Sequence, residues 1–166
     1  AIQVARAAGA GTIIAAASSE AKRAAAVAAG ADHAVDAHDF IDAVKELGGA
    51  DVVVDPVGAD AFDNSLRCMK PFGRLLVVGF AGGRIPELKV NRLLLRHLDV
   101  VGVNWGGMLP FDTAFASAAH EDLMRWHAEG HIRPVVGPVY PLAEGAQAFR
   151  DLASRTVIGK PVVTMS

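Results

Sequence analysis

The chain is 166 residues long, with 52% hydrophobic residues, 16 basic and 18 acidic side chains and a formal charge of −2. That content suits one domain with a real core and excludes a disordered chain, and the near balance of charge leaves no electrostatic footprint for nucleic acid or an anionic membrane. The apolar runs are of core-strand length, far short of a membrane span, and a single cysteine, Cys68, excludes an intramolecular disulfide and a cysteine-based zinc site.

In chain order, Ala1–Gly9 reads as a helix already under way: Ile2, Val4 and Ala5 give the apolar spacing, Gly9 gives a stop, and no capping residue precedes it. This start is expected to be a fragment boundary or an incomplete chain. It does not fit a secretory signal, because Ala1–Ala10 holds one charge and a polar Gln3; with the lone cysteine this gives an expectation of a reducing, cytoplasmic setting. Thr12–Ala17 is a strand, and Ser19–Ala29 a helix opened by serine and closed by Gly30. His33–Asp36 is a short strand, and Asp39–Leu47 a helix with Asp39 as its N-cap. The β-branched run Asp51–Asp55 is a strand stopped by Pro56. Gly58–Met69 is a helix, Pro71–Gly73 a turn, Arg74–Phe80 an apolar strand, Asn91–Arg96 a short helix and Leu98–Trp105 a further strand.

Continuous apolar strands separated by helices predict a parallel sheet buried on both faces, the doubly wound α/β pattern, with ligands outside the C-terminal strand ends. The last third differs. Phe111–Gly130 reads as one long helix, Val135–Tyr140 as a strand edged by prolines, Leu142–Ala153 as a helix and Lys160–Met165 as a final strand. The two late strands stand apart from the first sheet in order and could pair with a second domain.

The chemistry-bearing cluster is Ser18-Ser19-Glu20-Ala21-Lys22-Arg23, where the strand Thr12–Ala17 ends. Nucleotide-binding folds that take NAD place an acid at such a point to hold the ribose hydroxyls, and that acid would repel a 2′-phosphate. Here two serines stand instead. Their hydroxyls and the first N–H groups of the next helix suit an oxyanion, and a bound phosphate would favour Lys22 in that first turn. The alternative is that Ser19 only caps the helix and Lys22 is solvated. Asp55-Pro56-Val57-Gly58 ends the next strand, and Gly79, Gly82 and Gly83 follow the one after; both glycine groups either make turns or admit a ligand close to the backbone. Trp105 either walls a pocket or packs.

Other chemistries find no support. The six histidines have no metal-ligand spacing, no Gly-x-Ser-x-Gly elbow exists, and Cys68 lies in a helix as a core residue rather than a nucleophile. No carboxylate pair for acid–base work is visible. Hydride transfer from a bound cofactor needs none of these.

Several runs resemble quinone oxidoreductases of the medium-chain dehydrogenase/reductase superfamily, in the zinc-free, zeta-crystallin-like branch. They are Ala1–Ala10, Ala29–His33, Asp51–Gly58, Gly73–Phe80, Asn91–Leu95, Gly130–Pro134 and Gly159–Val163, collinear over nearly the whole chain. The resemblance implies a Rossmann-type doubly wound sheet lacking its first strand, residues 1–130, followed by a return segment, residues 131–166, whose strands belong to a GroES-like catalytic domain. It implies that the glycine loop Gly-x-x-Gly-x-x-Gly would lie before Ala1. It also implies NADPH as cofactor, no metal, and a homodimer formed by pairing the Leu98–Val103 strand across a two-fold axis. Ser18, Ser19 and Lys22 fall on the 2′-phosphate positions, with Arg155 as a further one; Val57, Gly79 and Phe80 fall where the cofactor passes the strand ends. Some relatives place an aromatic after the third strand, where this chain has Ala37, leaving the charge to Lys22 and Arg155. The expected activity of the intact protein is hydride transfer from NADPH to a quinone or other conjugated carbonyl, this chain being inactive alone. Rival expectations are a non-catalytic nucleotide-binding or dimerisation module, an enoyl-thioester reductase and a zinc-free alcohol dehydrogenase relative. The substrate is expected to be a small molecule, with no nucleic acid or membrane partner.

Overall fold

A computed structural model describes residues 1–165. Helix α1 (Ile2–Ala7) leads through a glycine turn to β1 (Ile14–Ala17), α2 (Glu20–Ala28) and β2 (His33–Asp36). Helix α3 (Ile41–Glu46), β3 (Ala50–Asp55), α4 (Ala59–Cys68) and β4 (Met69–Val77) follow, then α5 (Asn91–Arg96) and β5 (Asp99–Gly102). Every strand pairing is parallel: β1 with β2, and β3 with β4 with β5. A doubly wound sheet has the order 3-2-1-4-5-6. Removing strand one from that order leaves a pair and a triplet, which is the pattern of these strands. This is the expected α/β fold.

Two clusters hold it together. Phe62 and Leu66 of α4 pack with Met69, Leu75 and Leu98 over one face of the triplet, where Val53, Leu75 and Val100 lie side by side in register. Phe40, Val44 and Cys68 form the second cluster, with Ile14, Val35 and Ala50 around them, so α3 and α4 tie the pair to the triplet. The opposite face of the triplet is not covered. Val52 and Val54 are 58% and 49% exposed, against the expectation of strands buried on both faces. The period-2 geometry of a strand separates these residues from Val53, and no described element packs over them.

Other boundaries also move. Asp39 does not cap α3; its N-cap is Phe40, with no side-chain bond. The Pro71–Gly73 turn lies inside β4: Ala50 pairs with Met69 and Val52 with Arg74, so the intervening residues bulge out. Gly73 is required there, since a Cβ would lie 2.9 Å from the Lys70 carbonyl oxygen. Strand β4 ends at Val77 rather than Phe80, and β5 at Gly102. Trp105 opens a short helix, α6 (Trp105–Met108), because Asn104 caps it through the Gly107 N–H at 3.1 Å. The long helix α7 (Thr113–Ala128) starts after Phe111, where Asp112 accepts from the Phe115 N–H at 2.8 Å.

Strand β6 (Val136–Pro141), helix α8 (Gly145–Ala153) after a single 3-10 turn (Leu142–Glu144), and β7 (Lys160–Thr164) complete the chain. β6 and β7 form a separate parallel pair. Tyr140 donates to Asp151 of α8 at 2.7 Å, and that carboxylate pushes the phenol up from its ordinary pKa. Among the described residues no helix is long and apolar enough to cross a membrane.

Candidate functional site

The C-terminal ends of β1 and β4 are joined by a chain of hydrogen bonds through the loop between α8 and β7. Ser19 caps α2 with extended backbone, its Oγ accepting from the Lys22 N–H at 3.4 Å. The Lys22 side chain then reaches out and donates its Nζ to the backbone carbonyl of Arg155. Arg155 donates its guanidinium to the Ala81 carbonyl at 2.9 Å. Its backbone is left-handed, φ 59°, a conformation disfavoured for a residue with a Cβ. Lys22, Arg155 and the loop after β4 are therefore brought together across the division between the pair and the triplet. Ser18 follows β1 directly and is exposed.

Beside them, Arg23 spans the ends of β1 and β2. It donates to the Ala17 carbonyl at 3.1 Å and to Asp36 at 2.9 Å. The His38 backbone N–H, and after it the Arg23 guanidinium, hold the Asp36 carboxyl below the usual carboxylate range. Sequence reasoning missed this pair. Its signal was available: an arginine in the first turn after one strand and an aspartate ending the next.

Val57, Gly79 and Phe80 lie on two loops zipped together beyond β3 and β4. Val78 donates to the Asp55 carbonyl at 2.9 Å, Ala81 to Pro56 at 3.1 Å and Gly82 to Val57 at 2.8 Å. Glycine permits the approach: a Cβ on Gly58, φ 68°, would sit 3.0 Å from the Phe80 ring, and one on Gly79 would sit 3.3 Å from the Pro56 carbonyl oxygen. Val57 and Phe80 remain 41% and 43% exposed, leaving an apolar surface at the strand ends.

Asp55 organises this loop and was read only as the end of a strand. It is buried, and its Oδ1 accepts from the N–H groups of Val57 at 2.8 Å and Gly58 at 2.9 Å. Its Oδ2 is buried with no hydrogen-bond partner among the described residues. Leaving such an atom unpaired is costly. An acid closing an apolar strand just before Pro-x-Gly was the available signal.

The same end of the sheet holds an apolar hollow of about 490 Å³ past β5, lined by Trp105, Met108, Phe111 and Phe115. The Trp105 and Phe115 rings pack tilted at 57°, with centroids 6.1 Å apart. A ring-walled hollow suits a flat, apolar group. The described residues include no group of three or more His, Cys, Asp or Glu side chains able to hold a metal ion.

Known proteins share this sequence and geometry. The family model for zinc-binding dehydrogenases matches residues 1–121. The chain is 35% identical over 158 residues to quinone oxidoreductase-like protein 2 of Bos taurus, covering 92% of this chain and 45% of that protein. It is 29% identical over 167 residues to the acryloyl-coenzyme A reductase of Sulfurisphaera tokodaii, covering 98% of this chain and 46% of that one. The quinone oxidoreductase of Thermus thermophilus, whose structure is known alone and with NADPH, superposes with a TM-score of 0.87 at 37% identity, over 99% of this chain and 52% of that one. The chain thus spans about half the length of the relatives it matches. It belongs to the zinc-binding dehydrogenase family, among the oxidoreductases of the medium-chain dehydrogenase/reductase superfamily, and corresponds to their C-terminal part.

Proposed function

We propose that the protein transfers a hydride from NADPH to a quinone or another conjugated carbonyl, and that it does so without zinc. The observation that carries the cofactor half of this reading is the meeting of Lys22 and Arg155 at a strand end that has serines in place of an acid. Both cations now hold neutral backbone carbonyls, and a phosphate dianion is a stronger partner than either. Ser18, Ser19, Lys22 and Arg155 would hold the 2′-phosphate, the serines through hydroxyls and the helix through its first N–H groups. Val57, Gly79 and Phe80 would line the path past the strand ends. The orphaned Oδ2 of Asp55 supports the fit, since a buried carboxylate oxygen at that loop calls for a donor.

When bound, the nicotinamide supplies the hydride. The residues of this chain bind, orient and exclude water: Asp55 fixes the loop bearing Val57, and Phe80 and the Trp105–Phe115 wall keep the strand ends apolar. The similarity to quinone oxidoreductases is what favours the zinc-free reading. An α,β-unsaturated thioester is the second substrate reading, favoured by the similarity to acryloyl-coenzyme A reductase.

Strand β5 is the outer strand of the triplet, paired only with β4 among the described residues. Its unpaired edge supports a homodimer formed through Leu98–Val103. A cytoplasmic setting fits the same reading. The test is reduction of a simple benzoquinone and of a crotonyl thioester by the full-length protein, with NADPH and with NADH. Quinone turnover with NADPH preferred is the expected result; equal use of both cofactors sinks the cofactor assignment, and turnover of the thioester alone moves the substrate to the second reading.

A further inference from the structure

The opposite end of the sheet carries a second feature that the cofactor reading does not use. In a parallel sheet every connecting helix ends near the start of the next strand, so the last turns of α3, α4 and α5 converge there. Each last turn bears a cation, Lys45, Arg67 and Arg96 respectively, as suits the negative ends of helix dipoles. Convergence places all three, with Lys70 of β4, around one depression of about 330 Å³. No carboxylate among the described residues lines it.

Gly49, φ 80°, closes one wall of the depression, and a Cβ there would lie 3.1 Å from both the Cys68 carbonyl oxygen and Lys70 Cγ. Cys68 lies beside it, and burial pushes its thiol up from the ordinary value, so it adds no negative charge at neutral pH. Two cations are matched from outside: Lys45 with Asp42 at 3.5 Å and Lys70 with Asp51 at 2.9 Å. The Arg67 and Arg96 side chains have no hydrogen bond or carboxylate partner among the described residues. The rim therefore holds four positive groups against two carboxylates. The two free groups are guanidiniums, whose planar forks match phosphate and carboxylate oxygens in pairs.

We infer that this depression, formed by Lys45, Arg67, Lys70 and Arg96 at the N-terminal ends of β3–β5, binds a small soluble polyanion carrying at least two phosphate or carboxylate groups. Its volume lies at the small end of small-molecule sites, which fits a phosphorylated metabolite. The inference is independent of the cofactor assignment, because the two sites lie at opposite ends of the strands.

The test is calorimetric titration of the full-length protein with inorganic pyrophosphate in magnesium-free buffer at near-physiological sodium chloride, with NADPH present at saturating concentration so that the cofactor site is filled. One saturable site is expected. Arg67→Ser with Arg96→Ser is expected to weaken it at least tenfold, and Arg67→Lys with Arg96→Lys to retain most of it. Lys22→Ser, at the other end, is expected to leave it unchanged. The single Arg67→Ser variant, expected to weaken binding at least threefold, decides the matter if the double serine variant does not fold. No saturable heat, affinity indifferent to the serine variants, or affinity lost in Lys22→Ser would each overturn the proposal.

Discussion

The two ends of the same parallel sheet treat their cations differently. At the C-terminal ends, Lys22 and Arg155 each donate to a main-chain carbonyl, and Arg23 pairs with Asp36. At the N-terminal ends, Arg67 and Arg96 are left without partners among the described residues. The contrast teaches that the identity of a cation's partner says more about a site than the count of charges. A lysine on a neutral carbonyl is already positioned, and a phosphate can exchange with that carbonyl at little reorganisation. A guanidinium with no partner is an open valence in a less fixed place.

The most severe way to break the contrast is to remove the core between the ends. Leu75 is fully buried and sits between Val53 and Val100 on neighbouring strands. Leu75→Ala is expected to cost about 2–5 kcal/mol in urea unfolding, with cofactor and pyrophosphate binding failing together at the same denaturant concentration. Next comes the loop at the C-terminal end alone. Asp55→Ala leaves the Val57 and Gly58 N–H groups without their acceptor, at about 1–3 kcal/mol. NADPH affinity is expected to fall in a fluorescence titration while pyrophosphate binding at the other end persists. Arg155→Gly separates stability from selectivity. It relaxes a left-handed residue, φ 59°, so the melting temperature is expected to hold or rise slightly, while the NADPH preference drops.

The smallest effect concerns acid. The Ile13 backbone N–H at 2.7 Å, and then Arg6 at 2.6 Å, hold the Asp32 carboxyl below the usual range. A depressed folded-state pKa adds stability above the unfolded value of about 4 and loses it as pH falls through the folded value. Asp32→Asn is therefore expected to lower the melting temperature slightly at neutral pH and to converge on the parent protein in acid, flattening the acid limb of the stability profile below about pH 4, as read by thermal unfolding across pH.

Much of this was legible in the sequence because local signals and the fold agreed. His33–Asp36 and Asn91–Arg96 have the expected bounds, and Ser19 caps α2 as its position suggested. The fold class followed from apolar strands alternating with helices, a pattern that survives errors at the boundaries. What was not legible depended on contacts between distant residues. The bulge in β4 arises from pairing with β3, Trp105 joins a helix because Asn104 caps it, and Val52 and Val54 stay exposed because nothing described covers that face. In the site, residue types were readable and geometry was not. Lys22 and Arg155 stand 133 positions apart; the family resemblance assigned both to one phosphate, and the fold adds that the Lys22 side chain donates to the Arg155 carbonyl. Asp55 and the Arg23–Asp36 pair carried no motif strong enough to separate them from ordinary strand ends.

The central claim is that the meeting of Lys22 and Arg155 selects the 2′-phosphate. Its most direct test is the ratio of NADPH to NADH dissociation constants for the full-length protein and for Lys22→Glu. A charge-assisted hydrogen bond contributes about 1.5–3 kcal/mol, or roughly ten- to 150-fold. The account predicts that Lys22→Glu weakens NADPH by at least the lower figure while leaving NADH within about threefold. An NADPH affinity unchanged by Lys22→Glu would contradict it.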